Sequence, residues 1–342
     1  MAIRVIVVGM GPRGQDWLRE IQTGSGYELA ACIDTDRKIL SQACSLGVAP
    51  NQCFTTLTEA LEQNKCEAVI VATSPGDHVE PCGLALSRGL AVLVEKPFTL
   101  HLNEAVQLVS LAEQKGAPLL VAQNYRYLRS FRTARRLIAE GALGPVGMPL
   151  GMVICQYYRV PHPMADSLAR LTDSVLWGAG IHHLDVLRYV LNQRVTGVLA
   201  ESFTAPWGTL PRGGSIQMML TFENETRAFY SATYESSGHE FFERGQEFYL
   251  RFVGERATLH VLQRWLMLCE TGKLPRLVRR GPRKVSEERI LLDQLERAIR
   301  DGEESPASGR DNLQTMATVE ACLRSAAERA WVNPQELLDG ER

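Results

Sequence analysis

The chain of 342 residues is predicted to be an α/β protein. A doubly wound parallel sheet comes first, followed by a C-terminal α+β domain with a large, mostly antiparallel open sheet. Three observations predict this. Short β-branched apolar runs alternate with helical stretches through the first third, which implies right-handed crossovers between parallel strands. Strand patterns then crowd together without helices between residues 198 and 262, as in antiparallel sheets with one open face. The length is about twice the roughly 150 residues of an ordinary domain. The expected division is 1–122 and 123–342.

Taken in order, Ile3–Val8 is a continuous β-branched run, the pattern of a strand buried on both faces. Glycines follow, then a helix over 15–21. An apolar run at 29–33 ends in Asp34, and 38–46 is again helical. Thr56 and Glu59 stand at capping-box spacing before a short helix at 60–63. Runs at 68–72, 91–94 and 119–122 complete a sheet expected to hold six strands, with helices at 79–88, stopped by Gly89, and at 103–115. Beyond it the pattern gives a helix at 131–140, closed by Gly141, a long strand at 148–158, a Pro/His/Asp-rich loop at 161–173 and a helix at 181–191. Strands are expected at 198–203, 216–222, 227–234, 246–252 and 257–262, and closing helices at 286–299 and 312–330.

Composition narrows the function classes. Thirty-seven basic against 39 acidic residues give a net charge of −2, so no global field favours a polyphosphate backbone and nucleic acid is not expected as a partner. Hydrophobic residues at 45% and charged residues at 22% are globular values. The eight cysteines form no C-x-x-C pair and no zinc spacing, so they read as core packing in a reducing compartment, with no metal site. The start is apolar but turns into glycine rather than a cleavage site, and no run approaches the ~18 apolar residues of a bilayer span. The expected setting is cytoplasmic, with no membrane partner. The basic stretch from Lys273 to Lys284 reads as a solvated loop, and Glu320 with Arg324 as a surface ion pair.

Gly9-Met10-Gly11-Pro12-Arg13-Gly14 fits G-x-G-x-x-G directly after a strand and opening a helix. Gly9 permits the tight turn, Gly11 lets backbone approach a pyrophosphate, and Gly14 lets helix and strand pack closely. The helix N-terminus faces the phosphate charge. Asp34 ends the second strand twenty residues beyond Gly14, where an acid binds a ribose diol and repels the extra phosphate of NADP. NAD is the expected cofactor over NADP, with Arg37 moderating the preference. Further on, Glu95-Lys96-Pro97 stands at the carboxyl end of a strand, the edge where ligands bind in open α/β sheets. A lysine there can polarise a hydroxyl or carbonyl oxygen.

These strings, with Ala72-Thr73-Ser74-Pro75, His78, Asn124-Tyr125-Arg126-Tyr127, Gly141-Ala-Leu-Gly144 and Gly180-Ile-His182-His183-Leu-Asp185, resemble the Gfo/Idh/MocA oxidoreductases, the glucose–fructose oxidoreductase and inositol dehydrogenase group. The likeness covers nearly the whole length. It implies a Rossmann domain, an open-sheet C-terminal domain that forms a homodimer or homotetramer, and hydride transfer between NAD(P) and a sugar, sugar acid or cyclic polyol. Lys96 matches the family's catalytic lysine and His182 its active-site histidine. Thr73, Ser74, Pro75 and His78 line the nicotinamide side, Glu95 and Asn124 contact cofactor or substrate, and Arg126 lies at the edge of the substrate pocket. Tyr157 and Trp177 are candidate walls for a sugar ring.

One position departs from the pattern Asp-x-Gly-x-His: Gly180 and His182 fit, but the acid's place is Gly178. Glycine can neither accept a proton nor orient an imidazole. Asp173 or Asp185 are the substitutes in the sequence. Three readings follow. The first is an NAD-dependent dehydrogenase using Lys96 and His182. The second is a lyase or glycoside-cleaving cycle on tightly bound NAD with no net redox, and the third a non-catalytic NAD-binding sensor.

Overall fold

The computed structural model describes residues 1–144, 151–159, 171–208, 210, 213–236, 246–262, 265–281 and 285–341, with 151–159 and 246–248 described by backbone alone. The chain forms two compact units, 1–124 with 285–313, and 125–284 with 314–342. A C-terminal segment, 285–313, thus returns to the first unit.

In the first unit, Ile3–Val8 (β1), Tyr27–Ile33 (β2), Cys53–Phe54 (β3), Ala68–Val71 (β4), Ala91–Glu95 (β5) and Leu119–Ala122 (β6) form one sheet in the order β3-β2-β1-β4-β5-β6. Every neighbouring pair is parallel. The five expected runs are present, and the sixth strand is the two-residue β3, too short to show a hydrophobic period. Strand order reverses between β1 and β4, which opens the ligand crevice of such sheets at their carboxyl ends. Helices Pro12–Thr23 (α1), Arg37–Ser45 (α2), Leu57–Gln63 (α3), Val79–Ser87 (α4) and Leu102–Lys115 (α5) make the crossovers. Their ends follow local chemistry. The Thr56 hydroxyl accepts from Glu59 N at 3.3 Å, and Gly116 closes α5 in the left-handed conformation, φ 61°.

The returning segment carries a helix at Glu287–Asp301 whose Leu291, Leu292 and Leu295 are buried. Tyr27 Oη donates to Leu292 O at 2.6 Å and Arg289 Nη2 to Ser25 O at 2.8 Å, tying it to the start of β2. Residues after it cover the free edge of β6, where Val121 N donates to Ala307 O at 2.9 Å.

In the second unit, Gly151–Arg159 (β7), Val195–Phe203 (β8), Ser215–Phe222 (β9), Arg227–Ser236 (β10), Gln246–Val253 (β11), Ala257–Leu262 (β12), Trp265–Glu270 (β13) and Arg276–Leu277 (β14) form a sheet in the order β14-β13-β12-β11-β7-β10-β9-β8. The β7–β10 pair is parallel and the others antiparallel, as expected of a mostly antiparallel sheet. Helix Arg129–Ala139 (α6) packs against helix Ile181–Leu191 (α7) and against β12. On the other face Phe229 and Trp265 are exposed. The expected loop at 161–173 lies outside the described residues up to 170. Arg324 pairs with Glu328 at 2.7 Å rather than with Glu320, and Lys273 and Arg276 pair with Glu270.

Candidate active site

The glycine turn has the geometry its sequence implies. Gly9 has φ 87°, and a β-carbon there would lie 2.7 Å from the Ala72 carbonyl and Thr73 N. One built on Gly14 would overlap Gly9 O, so only hydrogen lets α1 lie against the turn. Gly11 is the opposite case: a β-carbon meets nothing within 4 Å. Gly11 caps α1 without a side-chain acceptor, and Pro12 opens the helix. The first amides of α1 therefore have no capping side chain of the chain's own, and Gly11 leaves room above them. These residues fit a pyrophosphate.

Asp34 reinforces the turn while keeping its place beside it. Its Oδ2 accepts from Met10 N at 2.8 Å and its Oδ1 from Asp36 N at 2.9 Å. Each carboxylate oxygen retains a second lone pair for a ribose hydroxyl.

Arg13 and Glu95 turn to one another. Arg13 Nε donates to Glu95 Oε1 at 2.9 Å, and Trp17 Nε1 reaches the same oxygen at 2.9 Å. Glu288 joins this network, 3.2 Å from Arg13 Nη2 and 3.3 Å from Asn124 Nδ2. Nothing local in the sequence marks Trp17 or Glu288 for this network. They place Glu95 as an anchor of the Lys96 turn. The Lys96 ammonium has its pKa lowered to about 8: burial lowers it, the Glu95 carboxylate opposes, and the Arg13 charge lowers it further. Such a lysine exchanges protons near neutral pH.

His78 is fully buried and holds the Lys96 turn from behind. Its Nδ1 meets the carbonyls of Pro97 at 2.9 Å and Phe98 at 3.2 Å, and its Nε2 that of Thr73 at 3.2 Å. Burial pushes the imidazole pKa down, against the pull of those carbonyls. Thr73 Oγ1 donates to Asp77 O at 3.2 Å, and Ser74 and Pro75 form the adjoining bend.

The second unit presents His182 at the start of α7, a helix buried on nearly every side. Polar groups on such a helix need partners. Asp185 takes Arg126, with Nε–Oδ2 and Nη2–Oδ1 both 2.5 Å, and Thr315 Oγ1 at 3.1 Å. Arg126, expected at the pocket edge, is 2% exposed and engaged in this pair. His183 Nδ1 meets Tyr230 Oη at 2.8 Å. The Tyr125 ring stacks on His182, centroids 4.0 Å apart and planes 11° apart. Asp173 accepts from the Ser202 hydroxyl. Trp177 is buried in the turn before α7, and Tyr157 stands in β7 opposite Thr233 and Glu247. Among the described residues no His/Cys/Asp/Glu group is arranged to hold a metal ion, and no helix is long and apolar enough to cross a membrane.

Comparison with known proteins gives the family. The chain is 25% identical to a D-apiose dehydrogenase of Paraburkholderia graminis over 97% of this chain and 89% of that one. It is 30% identical to an inositol 2-dehydrogenase of Corynebacterium glutamicum over 58% and 56% of the two chains. Its fold superposes on a crystal structure of an oxidoreductase from Agrobacterium radiobacter, in complex with NAD+, L-tartaric acid and magnesium, with TM-score 0.87 at 20% identity over 99% and 100% of the chains. Residues 3–123 match the oxidoreductase family with the NAD-binding Rossmann fold, and residues 131–260 the GFO/IDH/MocA C-terminal domain, so the chain belongs to the Gfo/Idh/MocA oxidoreductase family.

Proposed function

We propose that the protein is an NAD-dependent dehydrogenase that oxidises a hydroxyl of a sugar, sugar acid or cyclic polyol, or reduces the matching carbonyl. The observation that carries this reading is Lys96: a half-buried ammonium at the carboxyl edge of a dinucleotide-binding sheet, with a pKa lowered to about 8. Bound NAD supplies the hydride acceptor. Gly9, Gly11 and the first amides of α1 hold the pyrophosphate, and Asp34 holds the adenosine ribose and disfavours NADP. Lys96 takes the hydroxyl proton in oxidation and returns it in reduction, and His182 is the second proton-handling group. Thr73, Ser74 and Pro75 border the nicotinamide. The substrate class rests on relatives named D-apiose and inositol dehydrogenases.

The open sheet face with exposed Phe229 and Trp265 supports a homodimer or homotetramer formed through it. The test of function is nicotinamide absorbance with NAD and a panel of sugars, sugar acids and inositols, beside the Lys96→Met variant. Reduction of NAD by one substrate class, lost in Lys96→Met with NAD affinity retained, is the expected result. No turnover across the panel, despite NAD binding, removes the dehydrogenase reading.

A further inference from the structure

The helical turn that leads into α7, Leu176–Gly180, is wound with one extra residue and carries glycine at 178 and 180. Strand β10 passes it with Tyr230, Ala232 and Tyr234 facing inward, between the more exposed Phe229, Ser231 and Thr233. The two tyrosine hydroxyls meet the two glycines. A β-carbon on Gly180 would lie 3.5 Å from Tyr230 Oη, and one on Gly178 would overlap Tyr234 Oη and lie 3.2 Å from its Cζ. The volume a side chain at 178 would fill, four residues before His182, is therefore filled by a phenol from the sheet.

The two acids the sequence offers in place of one at 178 are engaged by other partners. Asp185 is bound by Arg126 and Thr315, and Asp173 by Ser202. His182 is stacked on an aromatic ring. Tyr125 lies parallel to it at 4.0 Å, a separation that fixes the plane of the imidazole. Burial pushes the Tyr234 phenol pKa up, the neighbouring Tyr125 adds to this, and burial raises Tyr125 likewise. Both remain protonated at neutral pH, so the group beside the turn is a neutral hydroxyl where the family pattern has a carboxylate.

We propose that Tyr125 and Tyr234 are the positioning residues of His182, Tyr125 by fixing the plane of its ring and Tyr234 by holding, as a neutral hydroxyl, the turn that carries it. The kinetic consequence rests on the dehydrogenase reading above, whereas the structural one does not. An imidazole misplaced by about an ångström costs up to roughly a hundredfold in rate while substrate binding is little affected.

The experiment uses the full chain and its Tyr234→Phe, Tyr125→Leu and Tyr125→Phe variants. Nitrogen NMR of the histidine rings, with His182 assigned through His182→Asn, is recorded without substrate. Kinetics are measured on whichever substrate class the wild type turns over. Tyr234→Phe keeps the ring and so the packing. It is expected to shift the His182 ring signals and lower kcat roughly ten- to a hundredfold with KM little changed. Tyr125→Leu is expected to do the same, and Tyr125→Phe, which restores the stack, to recover most of the rate. Unchanged His182 signals and kcat in Tyr234→Phe, or a Tyr125→Phe variant as impaired as Tyr125→Leu, overturn the proposal. If the wild type turns over nothing, the dehydrogenase reading fails, and the ring signals alone decide the positioning.

Discussion

His78 and Pro97 are joined across the mouth of the parallel sheet: the imidazole Nδ1 lies 2.9 Å from the Pro97 carbonyl, while Nε2 reaches the Thr73 carbonyl at 3.2 Å. One buried ring thus packs between the loop after β4 and the loop bearing Lys96, and its single N–H serves a carbonyl on one of them. Sequence resemblance places His78 on the nicotinamide side as a lining residue, whereas the ring is fully buried between these carbonyls. His78→Leu removes the ring's N–H from the buried carbonyl it serves, at about 1–3 kcal/mol, and leaves a cavity between the two loops. The expected result is a lower urea midpoint together with a fall in kcat out of proportion to the loss of folded protein. A His78→Leu variant with wild-type stability would show that the ring does not hold the two loops.

The lowered pKa of Lys96 makes stability and rate both rise with pH as that one proton is lost. Between about 8 and the ordinary 10.5 the unfolded chain holds a proton that the folded chain has released, so stability rises with pH across that window. Below 8 the buried ammonium carries its full cost. Lys96→Met is therefore expected to be more stable than wild type at neutral pH, with the gain shrinking towards about pH 10. In the wild type the rate of substrate oxidation climbs as pH rises through about 8, when Lys96 becomes the free base. Denaturation at two pH values and a kcat/KM profile check both, and a stability gain that grows with pH would reverse the sign and sink the argument.

The parallel sheet and its glycine turn are legible because strands buried on both faces read as unbroken apolar runs, and because Gly9, Gly11 and Gly14 each answer a local steric demand. What is not legible depends on partners far apart in the chain. Arg13 finds Glu95 from 82 residues away, Arg126 finds Asp185 from 59 away, and neither pairing leaves a local trace. Strand β3 is two residues long, so its pairing with β2 carries no period to read. The extra residue wound into the turn at Leu176–Gly180 has no pattern beyond its two glycines, and Tyr234 reads only as one more inward residue of a strand.

The Arg126–Asp185 pair separates a structural from a substrate role. Both side chains are buried, and removing one partner leaves the other as an uncompensated charge, costing roughly 3–5 kcal/mol. Arg126→Leu is expected to lose stability on that scale, and the double replacement Arg126→Leu with Asp185→Leu to recover much of it. Urea unfolding of the three variants measures this. A loss below about 1 kcal/mol with a raised KM would return Arg126 to the substrate pocket.

Restoring an acid at 178 is a steric problem before it is a chemical one. An aspartate there drives its β-carbon into Tyr234 Oη, and overpacking of this kind costs about 1–3 kcal/mol. Gly178→Asp is expected to lower the thermal midpoint, and Tyr234→Ala in the same chain to relieve part of the loss. Additive losses from the two substitutions would show that the tyrosine and the glycine do not share that space.

Cys53 brings together thiols that the sequence leaves scattered. Its sulfur lies 3.6 Å from Cys32 and 3.6 Å from Cys44, because β3 pairs Cys53 with Cys32 directly and α2 passes over both. Burial pushes the Cys32 thiol pKa up, Cys53 adds to it, and burial raises Cys53 as well. Cys32 and Cys53 are therefore protonated at neutral pH and slow to react, and their reactivity is expected to keep rising with pH beyond the ordinary thiol range. Treated with diamide, which takes two electrons and two protons from a pair of thiols, the protein is expected to form one disulfide through Cys53, with Cys32 or Cys44 as the partner. Non-reducing peptide mapping identifies the pair, and Cys53→Ala abolishes it. Cys32 lies two residues before Asp34, and the Asp34 amide donates to the neighbouring Phe54 carbonyl at 3.3 Å, so the crosslink pulls on the strand ends that hold Asp34, the acid proposed to bind the ribose. NAD affinity of the oxidised protein is expected to fall and to return with a reducing thiol. A crosslink involving Cys66 instead, or unchanged NAD affinity in the oxidised form, would break the connection between these thiols and the cofactor site.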